Sequence, residues 1–232
     1  MRKLKRGSIV LFLLFLILFK SNGQNIGNEW ITIPGFEPAS PVTLTSQVNF
    51  IAAIGLAAIS YTLAEFVFED VENINFYQVR AGMSNEYAWG LINVWHQNFG
   101  VEHRVANWFS LAAEFNLQEF QDRTPDISEK DVFGLGAGIM TYYRWYLFGK
   151  KRISPFLEYG TGLFYGFSKF PNNGTNFTFN HSTQIGLEFT FKMNSKFRFA
   201  YGNFHQSNYG WLESNPAYNG NGFSLSYAWQ WK

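Results

Sequence analysis

From about residue 73 to the C-terminus, apolar and polar positions alternate with a period of two. In QIGLEFTFK, residues 184–192, Ile185, Leu187, Phe189 and Phe191 share one face of a strand. Gln184, Gly186, Glu188, Thr190 and Lys192 share the other. Residues 153–168 repeat the pattern, with Leu157, Tyr159, Leu163 and Tyr165 set against Glu158, Gly160, Gly162 and Gly166. Residues 133–147 and 109–117 do the same. The spacing predicts eight strands, over 74–83, 87–98, 104–118, 132–147, 153–168, 176–192, 196–207 and 221–231. The first two are the least regular, because YAWGLINVWHQNFGVEHR (87–104) alternates poorly.

Such alternation fits either a soluble sandwich or a membrane barrel. The strands are long for a soluble sheet, where about five or six residues is usual. Their apolar face is heavy with Phe, Tyr, Trp and Leu. The opposite face carries Gly, Ser and isolated charges: Glu114, Arg144, Glu158, Glu188 and Arg198. A soluble core would bury those charges unpaired, at several kcal/mol each. A narrow barrel lets them pair with one another inside it, as a structural network rather than as catalysts. Eight strands close such a barrel and leave no exposed edge. The expected fold is therefore an all-β, eight-stranded antiparallel outer-membrane β-barrel. The final stretch, FSLSYAWQWK, places Phe223, Leu225, Tyr227, Trp229 and Trp231 on one face, like the closing strand of bacterial outer-membrane barrels.

The N-terminal third reads differently. Arg2, Lys3, Lys5 and Arg6 precede an apolar run from Ile9 to Phe19, and Ser21-Asn22-Gly23 resembles a cleavage site. Residues 1–23 are thus expected to be a signal peptide, with Gln24 as the new N-terminus. A retained anchor is the competing reading, but the run is short against the roughly 20 residues of a membrane helix. Residues 24–72 form an extension before the barrel domain of 73–232. Within it, NFIAAIGLAAISYTLAEFVF (49–68) has the character of a short helix that packs without spanning.

Composition adds exclusions. The chain has 232 residues, no Cys, 20% aromatic residues and a formal net charge of +1. Nothing points to nucleic acid, and neither a disulfide nor a thiolate metal site is possible. His96, His103 and His181 are isolated in sequence, which suits interface or loop histidines better than metal ligands. Gly134, Gly136 and Gly138 echo a nucleotide loop, but no helix follows and they lie on the lumen side of a strand. No metal or cofactor is implied.

The one constellation with chemistry lies in FAYGNFHQSNYG, residues 199–210. Phe197, Phe199, Tyr201, Asn203, His205 and Ser207 share a face, opposite Arg198. If the aromatic residues face lipid, His205 and Ser207 do too. Their strand positions are about 6.5–7 Å apart, a gap that leaning side chains can close. If both barrel ends are periplasmic, the seventh strand runs outward and this pair reaches the outer leaflet. Asn219 has outward parity on the next strand. A hydroxyl, an imidazole and a carboxamide would then converge, as nucleophile, base and orienting group. Asn208 could serve an oxyanion. An H-x-S spacing alone is common by chance, and interfacial polar residues anchoring a strand end would show it equally.

The segment His205-Gln-Ser-Asn-Tyr-Gly210, a short loop, then Asn215-Pro-Ala-Tyr-Asn219 and a final alternating strand resemble the PagL-type lipid A 3-O-deacylases. The resemblance implies an outer-membrane esterase that acts on lipid A, the anchor of lipopolysaccharide, in the outer leaflet. It implies that His205 is the base, Ser207 the nucleophile, and Asn208 with Gly210 the oxyanion region. Self-association as a homodimer is left open. The family places an acid fourteen positions after the His; here that position is Asn219, with Glu213 as an alternative acid. The departure leaves open a slower enzyme, or a barrel that kept the fold and lost activity. Two rivals remain: a non-enzymatic OmpA/OmpX-like barrel, and another lipid-acting barrel such as a phospholipase or acyltransferase.

Overall fold

The computed structural model describes residues 55–64, 71–86, 91–123, 132–148, 151–171, 174–192, 195–208, 212 and 217–231. The expected signal peptide and most of the extension lie outside these residues. Eight antiparallel strands close on themselves in sequence order. They are β1 (Val71–Glu86), β2 (Ile92–Ala106), β3 (Phe109–Asp122), β4 (Val132–Tyr146), β5 (Ile153–Phe170), β6 (Thr175–Lys192), β7 (Ser195–Ser207) and β8 (Tyr218–Gln230). The seam is the β1–β8 ladder, which runs from Phe76 opposite Gln230 to Glu86 opposite Gly220.

The barrel starts at Val71, two residues before the expected boundary. β2 and β3 each lie several residues beyond their predicted spans of 87–98 and 104–118. The chain reverses at Asn107–Trp108, a two-residue turn without Gly or Pro, so the predicted third strand ran across it. β2 also resists a period-two reading for a physical reason. It carries polar groups on both faces, with His96, Asn98, Glu102 and Arg104 buried inside and Asn93, Gln97 and His103 outside.

The lumen is a packed polar core. Arg80, Arg104, Arg144 and Arg198 interleave with Glu102, Glu114, Glu158 and Glu188, all buried. Arg198 reaches Glu102 at 2.6 Å and Glu188 at 2.7 Å. Arg144 reaches Glu102 at 2.7 Å and also bonds Glu158, which Arg80 holds at 2.5 Å. Low-dielectric surroundings make these pairs strong, while a lone ion there would be costly. Tyr142 stacks under the Arg80 guanidinium at 3.9 Å. Gly160 makes room for it, since a Cβ there would strike the Tyr142 ring.

One end of the lumen is closed by an apolar plug of Ile92, Val94, Phe120, Phe170 and Tyr218, with Phe204 against it. Phe120 and Phe170 rings stand 4.3 Å apart, and the Tyr218 hydroxyl bonds Ser84 at 2.8 Å. These residues sit at the end bearing the connections 87–91, 123–131, 171–174 and 208–217. The other end bears the connections 107–108, 147–152 and 193–194, and both termini of the barrel lie there. The outer face is apolar: Phe99, Leu135, Ile139, Leu163, Phe167 and Ile185 are all exposed.

Residues 55–64 form a helix, α1, inside the predicted 49–68. The remainder of that prediction lies outside the described residues. Leu56, Ala57 and Ala64 pack into a cluster with Phe109, Trp108 and Trp145 on the outside of the barrel. Trp145 donates its indole N–H to Ser60 Oγ at 2.9 Å. Among the described residues no helix is long and apolar enough to cross a membrane, which says nothing of a chain that crosses with strands.

Candidate active site

The even-numbered residues of β7 point into the barrel, as buried Lys196, Arg198 and Ala200 show. Odd-numbered residues therefore face outward, His205 and Ser207 among them. Both occupy the loop-bearing end of β7 and are only 4% exposed. The two side chains lean together, so that His205 Nε2 and Ser207 Oγ stand 2.9 Å apart.

β8 supplies the third member. In the β7–β8 ladder His205 lies directly opposite Asn219. His205 Nδ1 and Asn219 Oδ1 are 2.7 Å apart. A carboxamide oxygen only accepts, so Nδ1 carries the proton and donates it to this bond. Nε2 is then the lone-pair nitrogen, and it accepts the Ser207 O–H. This is the tautomer a general base requires.

Asn208 directly follows the hydroxyl and is buried, its amide donating to Thr175 Oγ1 at 3.2 Å. Gly210 and Glu213 lie outside the described residues. Among the described residues no group of three or more His, Cys, Asp or Glu is placed to hold a metal ion.

The expectation that His181 is isolated is corrected by the fold. Across the β6–β7 hairpin it lies directly opposite His205, and the two rings are 6.1 Å apart. Its Nδ1 meets the Tyr159 hydroxyl at 3.0 Å. The signal was available in the sequence. The same hairpin register that sets Glu188 opposite Arg198 also sets His181 opposite His205. The row extends further: Thr141, Thr161, His181, His205 and Asn219 are successive cross-strand partners from β4 to β8. Of the other histidines, His103 bonds Asn75 at 2.7 Å on the outside, and His96 packs inside the lumen against Phe204. Sequence reasoning also missed Arg80, Glu102 and Arg104 in the lumen network, because they belong to the two strands whose pattern was poorest.

A closed eight-stranded barrel with an apolar exterior and a plugged polar interior has the build of a membrane barrel, and this one carries a Ser–His–Asn array on its outer face. Residues 75–228 match the family described as lipid A 3-O-deacylase (PagL), and the chain belongs to that family of outer-membrane barrels. Its fold is similar to the crystal structure of the outer membrane enzyme PagL, with a TM-score of 0.50 and 13% identity, over 64% of this chain and 97% of that one. Two further barrels align more loosely. Neisserial surface protein A gives a TM-score of 0.47 at 10% identity, over 68% of this chain and 97% of that chain. The outer membrane protein OprG of Pseudomonas aeruginosa gives 0.42 at 7% identity, over 70% of this chain and 98% of that chain. No curated protein matches the sequence.

Proposed function

We propose that this protein is an outer-membrane serine esterase that removes the 3-O-linked acyl chain of lipid A, with Ser207 as nucleophile, His205 as base and Asn219 as the group that orients the imidazole. The observation that carries the reading is the pair of hydrogen bonds at 2.9 and 2.7 Å linking the three side chains on a face otherwise turned to lipid. A barrel with a purely mechanical role gains nothing from polar groups there.

In the first step His205 Nε2 takes the Ser207 proton as Oγ bonds to the ester carbon. The carbonyl oxygen becomes an oxyanion, beside which the Asn208 carboxamide is held by Thr175, with Gly210 completing the oxyanion region. Collapse of the intermediate breaks the bond to the sugar oxygen, which receives the proton from His205. Water then attacks the acyl-Ser207 ester, again with His205 as base, and the free fatty acid leaves. Asn219 accepts from Nδ1–H throughout and fixes the ring, but it adds no full charge to offset the imidazolium. Glu213 is the alternative acid.

A substrate already resident in the leaflet needs no soluble cleft, which suits a site on the barrel exterior. The loop-bearing end then faces outward and the short turns face the periplasm. A signal peptide over residues 1–23 would deliver the chain there. Mass spectrometry of lipid A from cells expressing wild type or Ser207→Ala tests the reading. One 3-O-acyl chain is expected to disappear with wild type alone. An unchanged acyl pattern with wild type overturns it.

A further inference from the structure

On and just after β4 the outward side chains Ile139 and Leu147 are 62% and 42% exposed, yet Trp145 between them is only 2% exposed. On β5 Ile153 and Leu163 are exposed, while Tyr159 between them is buried. Phe109 on β3 is buried as well, although its parity turns it outward. Trp145, Tyr159 and Phe109 all belong to the cluster that packs against Leu56, Ala57 and Ala64 of α1. The helix therefore covers a patch on the outer wall of β3 to β5. On β4 and β5 exposed apolar side chains border that patch toward both ends of the barrel.

The other side of the helix is apolar too. Residues 55–64, GLAAISYTLA, include no charged residue. Leu56, Ala57, Ser60 and Ala64 form the buried stripe, at helical spacing. Opposite them Ala58, Ile59, Tyr61 and Thr62 are exposed, Ile59 by 57%. A helix turned to water carries charged groups on that side. In α1 the Thr62 hydroxyl instead donates to the Ala58 carbonyl at 2.9 Å, and Ser60 accepts the Trp145 indole N–H. A helix also satisfies most of its backbone groups internally, as hydrocarbon demands. Ten residues rise about 15 Å, half of a hydrocarbon layer of about 30 Å, so α1 fits within one leaflet. Its exposed face is continuous with the lipid-facing wall above and below it.

We propose that α1 is an intramembrane helix, laid on the barrel wall inside the hydrocarbon layer, and that Ala58, Ile59 and Thr62 are an interaction surface for the acyl chains of bilayer lipid. The helix takes the place of lipid over Tyr159, whose hydroxyl meets His181 at 3.0 Å. That polar contact on the outer wall is thereby kept from acyl chains, where it would cost free energy. The inference goes beyond the esterase reading and does not depend on it, and its test uses no activity.

The absence of Cys from the chain makes single-site labelling direct. Ile59→Cys, Leu163→Cys and Leu212→Cys are each spin-labelled in the full-length protein and refolded into phosphatidylcholine vesicles. Leu163 is the reference on the barrel wall, and Leu212 is the exposed reference in the connection 208–217. Heat-modifiable gel migration checks that each variant is folded, and Ala58→Cys on the same face replaces Ile59→Cys if that variant is not. Power saturation then measures collisions with oxygen, which enters hydrocarbon, and with a water-soluble nickel chelate, which is excluded from it. The label at residue 59 is expected to match that at 163 in oxygen access. Its nickel collisions are expected to fall at least about tenfold below those at 212. Equal nickel access at 59 and 212 would put this face in water and overturn the proposal. Low access to both probes would mean that protein covers the face, either a second copy or residues 24–54, and would overturn lipid as the occupant. Spin–spin broadening at full labelling would then single out the second copy.

Discussion

Asn219 Oδ1 lies 2.7 Å from His205 Nδ1, directly across the β7–β8 ladder. The bond holds His205 in the tautomer that a general base needs, yet it does so with a neutral acceptor. A carboxylate here would add charge assistance when the imidazolium forms. Hydrogen bonds to charged groups exceed neutral ones by about 1.4 kcal/mol, or roughly tenfold in rate. Asn219→Asp is therefore expected to raise kcat on lipid A by about tenfold, and Asn219→Ala to lower it. Steady-state rates of fatty acid release decide this. A slower Asn219→Asp enzyme would show that the carboxamide is itself the better partner.

His205→Ala removes the only group bonded to both Ser207 and Asn219 in the array. Loss of a triad base costs up to about 10⁶-fold in kcat. The barrel should persist, because the side chain faces outward and takes no part in the lumen network. Far-ultraviolet circular dichroism and acyl release on the same preparation test both halves of this expectation.

The lumen should not conduct. The plug of Phe120, Phe170 and Tyr218 closes the loop end, and the arginine–glutamate network fills the space below it. Reconstitution into planar bilayers is expected to give no stable single-channel steps. Discrete openings from folded protein would contradict the packing.

Arg144→Met tests the interior network. It strips a partner from Glu102 and Glu158, but Arg198 still reaches Glu102 and Arg80 still reaches Glu158. Breaking a buried pair costs about 3–5 kcal/mol, and this redundancy points to the lower end of that range. Urea unfolding in lipid vesicles, followed by tryptophan fluorescence, measures it.

Helix α1 makes a polar contact within an apolar cluster. Ser60→Ala leaves the Trp145 indole N–H without its acceptor at 2.9 Å. A buried unpaired donor costs about 1–3 kcal/mol. The same unfolding assay should register the loss, and a neutral result would mean that α1 contributes little to holding the barrel.

Alternation along the chain determined the fold class, because a strand with one face to lipid and one to a packed lumen must repeat every two residues. The same parity put His205, Ser207 and Asn219 outside and Glu114, Arg144, Glu158, Glu188 and Arg198 within. It failed for β2, where both faces are polar, and at Asn107–Trp108, where the turn has no Gly or Pro. Pairing across strands was left to the tertiary structure. Closure of the barrel fixes the register of all eight ladders at once, and that register decided which distant residues meet. It set Asn219 and His181 on either side of His205, gave Arg80 and Arg104 their glutamates, and assembled single polar residues from five strands into the row that runs through His205. A period of two says which way a side chain points; only the register of the closed sheet says what stands next to it.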